Sequence, residues 1–377
     1  MAKFETLAIH SGLAHKEKTG SVIPPIYATS TFEHGNEEGF DYTRSGNPCF
    51  RNLEATLAAL ESAKSATVFS SGVAAITAVV SSLKSGDTIL AEENIYGCTF
   101  RLFEQVLKKY GVNIRYADLS KSENYSQVEE LKPSLVWIES PTNPLLKLVD
   151  IEALAKVCKG SDVDLVVDNT FASPYLQLPL ELGATLSLSS TTKYINGHSD
   201  CLGGVVCCND DSWAEKLDFA VKALGLNPSP FDAWLVARGV KTLKIRMDKH
   251  SANGLEVAKK LSEWKAVEWV RYPFLSSDPQ YDLAKKQMSA GSGLVVCSFN
   301  LKKDDTFKKL QSLKYFTLAE SLGGVESLVC HPATMTHASV PKKTREAVGI
   351  TDSVVRFSVG IEAVEDLISD LSSVFSD

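Results

Sequence analysis

Short apolar runs alternate with helical stretches along the first half of the chain, and this alternation constrains the fold more than any other feature. Residues 66–69 read as a strand, Ser70-Ser71-Gly72 as a turn and 73–83 as a helix. Thr88-Ile89-Leu90 is the next strand, followed by a loop through Tyr96-Gly97 and an amphipathic helix over 100–110. Residues 113–117, 135–138 and 165–167 read as further strands, with helical segments between most of them. Strands spaced in this way predict a mostly parallel sheet with crossover helices. Such strands are covered on both faces, which is why they read as apolar runs without alternation. After Arg238-Gly239 a long helical stretch runs through Leu261, then 270–273 is extended; strands at 293–299 and 354–359 and a helix at 363–375 predict a smaller C-terminal α/β domain.

A chain of 377 residues has room for about two to three domains. Pro24-Pro25, His34-Gly35 and Gly39 break any period near the N-terminus, so residues 1–45 are expected to form an irregular, extended arm. From Asn52 onward Leu53, Leu57, Ala58 and Leu60 recur at helical spacing, with Glu54 and Glu61 on the other face. We divide the rest into a ligand-binding domain, 46–238, and a C-terminal domain, 239–377. An arm must pack on something, and another subunit is a natural partner.

Charge excludes some functions. With 39 basic and 46 acidic side chains the net charge is −7, so there is no basic excess to neutralise a nucleic-acid backbone. The longest uncharged stretch, 65–83, is broken by Ser70, Ser71, Gly72, Thr77, Ser81 and Ser82, so no membrane span is expected. The opening MAKFETLAIHSG lacks the apolar core of a secretory signal. Eight cysteines are too few for a disulfide scaffold, and the adjacent Cys207 and Cys208 suit reduced, buried thiols. The expectation is a soluble cytoplasmic protein.

In open parallel sheets ligands bind beyond the carboxyl ends of the strands. After the first strand come Ser70, Ser71 and Gly72 at a helix N-terminus, where N–H groups and the helix dipole suit a phosphate, or simply cap the helix. After 165–167 comes Asp168, a candidate metal ligand, general base or partner for a protonated ring nitrogen. After Leu186-Ser187-Leu188 come Ser190, Thr192 and Lys193. An ammonium at the end of a central strand is costly, and desolvation makes such a lysine nucleophilic. A phosphate cradle, a carboxylate and an activatable lysine are together what pyridoxal 5'-phosphate requires. Tyr96 is placed to stack on its ring, and Arg356 to take a substrate carboxylate bidentately.

These residues sit within longer motifs: Tyr42-Thr43-Arg44-Ser45-Gly46-Asn47-Pro48, Ser71-Gly72, Tyr96-Gly97, Glu139-Ser140-Pro141-Thr142-Asn143-Pro144, Val167-Asp168-Asn169-Thr170-Phe171, Thr192-Lys193-Tyr194 with Gly197-His198-Ser199-Asp200, and Arg356-Phe357-Ser358-Val359-Gly360. Over essentially its whole length the chain resembles the trans-sulfuration enzymes, the Cys/Met-metabolism group of fold-type I pyridoxal-phosphate enzymes. The resemblance implies an aspartate-aminotransferase-like α/β fold, with Lys193 as the covalent anchor and base, Asp168 facing the pyridine nitrogen, and Tyr96 stacked on the ring and acting in proton transfer. Gly72, Val73, Ser190 and Thr192 would hold the phosphate. Tyr42 and Arg44 would reach the neighbouring subunit's site, which implies a homotetramer built as a dimer of dimers. Arg356, with Asn143 and Ser321, would bind the α-carboxylate.

The run Leu318-Ala319-Glu320-Ser321-Leu322-Gly323-Gly324 resembles the γ-lyases and γ-synthases of cystathionine, with Glu320 meeting the distal amino group. γ-Cleavage is therefore the expected activity, ahead of β-cleavage, the synthase direction and methionine γ-cleavage; a cofactor-binding scaffold without catalysis is the reading from another class. Tyr96-Gly97-Cys98-Thr99 resembles methionine γ-lyases, although a buried space-filler is the preferred account of Cys98. Asn47-Pro48-Cys49-Phe50, with Arg51 following, departs from the family's usual Asn-Pro-Thr-Arg. Cys330, His331, His337, His198, Asp200 and Cys201 match no common zinc spacing, so no metal is expected.

Overall fold

The computed structural model describes residues 2–13, 20–338 and 340–375. Its larger sheet is built from β1 (Ser65–Phe69), β2 (Thr88–Glu92), β3 (Asn113–Ala117), β4 (Leu135–Glu139), β5 (Asp164–Asp168), β6 (Leu186–Ser189) and β7 (Gly204–Cys208). The order across the sheet is β1-β7-β6-β5-β4-β2-β3. Neighbours from β6 to β3 are parallel, whereas β7 runs antiparallel to both β6 and β1. The carboxyl ends of β1, β4, β5 and β6 thus share one edge with the start of β7.

Helices cover both faces. In chain order they are α1 (Phe4–His10), α2 (Pro48–Leu60), α3 (Gly72–Val80), α4 (Gly97–Gln105), α5 (Ser126–Leu131), α6 (Ile151–Gly160), α7 (Ser173–Leu176), α8 (Asp211–Leu224), α9 (Pro230–Val240) and α10 (Leu243–Ser262). Side-chain caps fix several starts: Asn47 accepts from the Cys49 N–H, Ser71 from Ala74, Asp150 from Ala153 and Asp210 from Trp213. Trp137, Phe103 and Phe69 pack on one face of the sheet with α3 and α8, while Val136, Ile138 and Leu154 pack on the other. All five residues of β4 are buried, as expected of a strand covered on both sides.

A second sheet lies C-terminal: β8 (Val267–Arg271), β9 (Leu294–Phe299), β10 (Thr317–Leu318), β11 (Leu328–Cys330) and β12 (Val354–Ser358), ordered β10-β11-β12-β9-β8. Only β10 and β11 are parallel. The helices of this part are α11 (Tyr281–Gln287), α12 (Lys303–Gln311), α13 (Lys342–Ala347) and α14 (Val364–Phe375). Its core joins Phe299 and Phe357 to Leu261 of α10 and Phe375 of α14. Among the described residues no helix is long and apolar enough to cross a membrane.

Four local expectations change. The arm is not irregular throughout: α1 buries Ala8, and Phe4 packs its ring 5.1 Å from Tyr175. The helix expected over 100–110 breaks at Val106, where α4 gives way to a 3₁₀ turn ended by Gly111 in the left-handed region. The long helical stretch after Arg238 is α10, but a separate helix unforeseen in the sequence, α9, comes before it and begins at Pro230, which Ser229 caps. The segment expected to be extended over 270–273 is strand only as far as Arg271, and that strand begins earlier, at Val267.

Candidate functional site

A cleft of about 340 Å³ opens at the shared strand edge. Its first wall is the turn from β1 into α3. Ser71 caps the helix through its side chain, so the N–H groups of Gly72 and Val73 have no intrahelical carbonyl to meet and face the cleft. Three glycines bring the adjoining segments close. A Cβ at Gly72 would sit 2.9 Å from Ser190 Cβ, and at Gly203 and Gly204 it would strike Thr191 Oγ1 at 2.3 Å and Ser71 O at 2.4 Å. Ser190 and Thr192, following β6, line the same corner, with Thr192 Oγ1 accepting from the Gly203 N–H at 2.9 Å. A helix start with open N–H groups, flanked by two hydroxyls, suits a phosphate monoester.

Lys193 follows on the same turn. Its Nζ donates to Ser321 Oγ at 2.8 Å, and among the described residues no carboxylate lies within ion-pair distance. Burial, then the nearby Arg356, push its ammonium down to about 8, against weaker opposing pulls from Glu320 and Cys98. Asp168 ends β5 beside Glu139, its registered partner at the end of β4. Burial raises Asp168 to about 6, although it accepts from the Thr170 N–H at 3.0 Å. Burial and the Asp168 charge hold Glu139 well above the usual carboxylate range. This carboxyl pair has no cationic side chain against it among the described residues, so a protonated pyridine nitrogen would complement it. The orphan charge, the cradle and the lysine together fit pyridoxal phosphate.

Arg356, on β12, is only 2% exposed. Its Nη1 donates to Asn143 Oδ1 at 2.7 Å and its Nη2 to Ser321 O at 3.2 Å, while Nε has no partner. Arg356 lines the cleft, where the Nη hydrogens not used by Asn143 and Ser321 suit a carboxylate. Tyr96 immediately precedes α4, with no side-chain bond to the helix start, and lines the cleft. Burial raises its phenol, with Cys98 and then Glu320 adding to the effect. Glu320 sits at the cleft mouth, exposed.

The structure thus brings Gly72, Val73, Tyr96, Asn143, Asp168, Ser190, Thr192, Lys193, Glu320, Ser321 and Arg356 around one cavity. Tyr42 and Arg44 are not among them. Tyr42 is 45% exposed, with the Arg44 guanidinium over its ring at 5.5 Å and bonded to the Lys222 carbonyl. Cys98, expected as a buried filler, is half-buried against Tyr96. Arg51 turns back onto the arm, bonding Glu38 and covering the Phe40 ring. Among the described residues the candidate zinc ligands do not gather: His331 bonds Thr334 and the Asp352 carbonyl, His198 the Asn196 carbonyl.

Two residues quoted in the motifs without a role also belong to the site. Glu139 accepts the Tyr96 N–H at 2.7 Å, and Thr170 Oγ1 accepts the Ser190 N–H at 2.8 Å, so each ties two loops of the cleft together. A charged residue ending an otherwise apolar strand was the available signal for Glu139. Nothing in the local sequence marks Thr336, which reaches the cleft from the far end of the chain.

Sheet, cleft and donor set define a fold-type I pyridoxal-phosphate enzyme. Residues 5–376 match the family described as Cys/Met metabolism PLP-dependent enzyme, and the chain belongs to that family. It is 45% identical over 375 residues to cystathionine beta-lyase of Lactococcus lactis subsp. cremoris strain MG1363, covering 98% of each chain. It is 48% identical to cystathionine gamma-lyase of Bos taurus, covering 98% of this chain and 92% of the relative. The crystal structure of cystathionine gamma synthase from Xanthomonas oryzae pv. oryzae, in complex with aminoacrylate and cysteine, superposes with a TM-score of 0.96 at 40% identity, covering 99% of this chain and 97% of the other. The chain is a trans-sulfuration enzyme dependent on pyridoxal phosphate.

Proposed function

We propose that the enzyme cleaves the Cγ–S bond of L-cystathionine, releasing cysteine, 2-oxobutyrate and ammonia with uptake of one water. The observation that carries this is the pairing of charges in the cleft: Arg356 is deeply buried beside Lys193, and Glu320 stands at the mouth, with no ion pair among the described residues. A substrate with an α-carboxylate at one end and a second amino group at the other complements that arrangement.

Gly72, Val73, Ser190 and Thr192 would hold the cofactor phosphate, Lys193 its aldehyde carbon, and Asp168 its pyridine nitrogen, with Tyr96 on the ring face. Tyr42 and Arg44 would complete the site of a second copy within a dimer of dimers. Once bound, pyridoxal phosphate supplies an electron sink for charge developing at the substrate carbons. Arg356, through its free Nη hydrogens, binds the α-carboxylate and fixes the Cα–H toward Lys193. Lys193, neutral above about 8, takes the proton from Cα and then serves Cβ. Its bond to Ser321 Oγ orients the Nζ lone pair. A phenol held protonated by burial is a donor rather than a base, so Tyr96 delivers a proton to the departing sulfur.

β-Cleavage is the second reading, favoured by the Lactococcus relative. The test is to incubate protein, pyridoxal phosphate and L-cystathionine and to identify the oxo acid by mass. 2-Oxobutyrate with cysteine supports γ-cleavage. Pyruvate with homocysteine establishes the β-reading instead, and no oxo acid at all moves the assignment to the synthase direction.

A further inference from the structure

An amide network connects the cleft to α11, yet none of its glutamines lines the cavity. The segment between β4 and α6 carries Asn143, the residue that orients Arg356. Of its own bonds, that segment has the Thr142–Lys147 pair, at 2.9 and 3.0 Å, the Leu146 N–H to Thr142 O at 2.9 Å and the Val149 N–H to Ser140 Oγ at 3.2 Å, and the Asn143 N–H bonds the Glu139 carboxyl that ends β4. Glutamines supply much of the rest. Gln280, just before α11, grips both backbone groups of Leu148: its Oε1 accepts at 2.8 Å and its Nε2 donates at 2.7 Å. Gln287, at the end of α11, donates to Val149 O at 3.1 Å and to Gln177 Oε1 at 3.2 Å, and accepts from the Ile151 N–H at 3.4 Å. Gln177 in turn donates to Ser140 O at 2.7 Å and to Asn169 Oδ1 at 3.0 Å, and Asn169 follows Asp168.

Gln177 and Gln287 are buried, and a buried amide costs free energy unless its donors and acceptors are met. Apolar side chains would fill the same space without that requirement. What paired amides add is direction, because each fixes a donor and an acceptor at once. The Arg356 plane is held by Asn143 Oδ1 and Ser321 O, with the Cys330 thiol also against it, so a displaced Asn143 turns the guanidinium.

We propose that Gln280 and Gln287 are positioning residues for the substrate's α-carboxylate: gripping the 140–151 segment from α11, they keep Asn143 where it aims Arg356 into the cleft. The inference rests on the reading of Arg356 as the carboxylate site. It makes the carboxylate clamp a structure of three parts remote in sequence, with α11 behind it.

The test uses holoenzyme saturated with pyridoxal phosphate. Gln287→Leu risks the fold, so Gln280→Ala, half-buried and facing only Leu148, is the principal variant. It is expected to raise KM for the sulfur amino acid about five- to tenfold while kcat stays within about twofold and the cofactor absorbance is unchanged. Gln280→Glu keeps the acceptor but loses the donor, and should fall between. Because Gln280 acts through Asn143, the Gln280→Ala/Asn143→Ala double variant should be no worse than Asn143→Ala alone. An unchanged KM in Gln280→Ala, a loss confined to kcat, or effects that multiply in the double variant would each overturn the proposal. Arg356→Lys separates the layers. If it leaves KM unmoved, the carboxylate reading fails and the proposal with it; if it raises KM while Gln280→Ala does not, the proposal alone fails.

Discussion

Gly72→Ala adds one methyl group to the phosphate cradle. The helical position itself accepts alanine, which within a helix is favoured over glycine by about 1 kcal/mol. Space is the obstacle. The new Cβ would lie 2.9 Å from Ser190 Cβ, 3.0 Å from its Oγ and 3.4 Å from its Cα. The hydroxyl can rotate away, since its bond to the Gly203 carbonyl is a long 3.4 Å. The Cβ cannot, because it moves only with the backbone that follows β6. Either that turn or the start of α3 must therefore retreat by roughly half an ångström, at an overpacking cost of about 1–3 kcal/mol. The same shift withdraws the Gly72 and Val73 N–H groups from the anion; losing one charge-assisted bond of about 1.5–3 kcal/mol weakens cofactor binding on the order of tenfold to a hundredfold. Titrating apoprotein with pyridoxal phosphate by absorbance measures this directly. Gly160→Ala, at the end of α6 with nothing within 4 Å of the added carbon, is the control and should bind normally. A Gly72→Ala protein whose Kd stays within about twofold of the parent would refute the cradle as described.

Two further outcomes follow from charge. Lys193, held near 8 in the folded apoprotein against about 10.4 in an unfolded chain, carries a burial penalty below pH 8 that vanishes as the pH rises toward 10.5. The apoprotein should therefore gain up to roughly 3 kcal/mol across that window, a slope missing from Lys193→Met in denaturant unfolding, and its capture of the cofactor aldehyde should accelerate with a midpoint near 8 rather than near 10. Glu320→Gln keeps shape and removes charge; KM for L-cystathionine should rise about tenfold while KM for a monoamino sulfur substrate barely moves, and an unchanged ratio between the two would remove Glu320 from substrate recognition.

The sheet was legible where physics is local. Strands β1, β2, β4 and β5 show up as short apolar runs because both faces are covered, β3 at the sheet edge alternates instead, and the polar residues after β1, β5 and β6 supplied most of the cleft. β7 was missed as a strand although its burial of Cys207 and Cys208 was foreseen. Two glycines open it, which reads as a loop, and their purpose is visible only when Thr191 and Ser71 are seen pressed against them. α1 was missed because it spans seven residues with no side-chain cap, too short to show a period. The Glu139–Tyr96 bond and the glutamine grip on the 140s segment join positions far apart in the chain, and no spacing rule announces such pairs.

The strand order has a bearing on how the chain is made. β1 emerges first from synthesis, yet its sole partner in the sheet is β7, whose register sets Ser65 opposite Cys208. Until residue 208 has been made, the earliest strand has no neighbour on either side, and the two halves of the phosphate cradle, which flank the start of β7, have not met. A growing chain that stops short of β7 therefore carries an apolar strand with both edges bare, the kind of surface that pairs with other chains. Pairing with β7 covers one of those edges and brings the two halves of the cradle together.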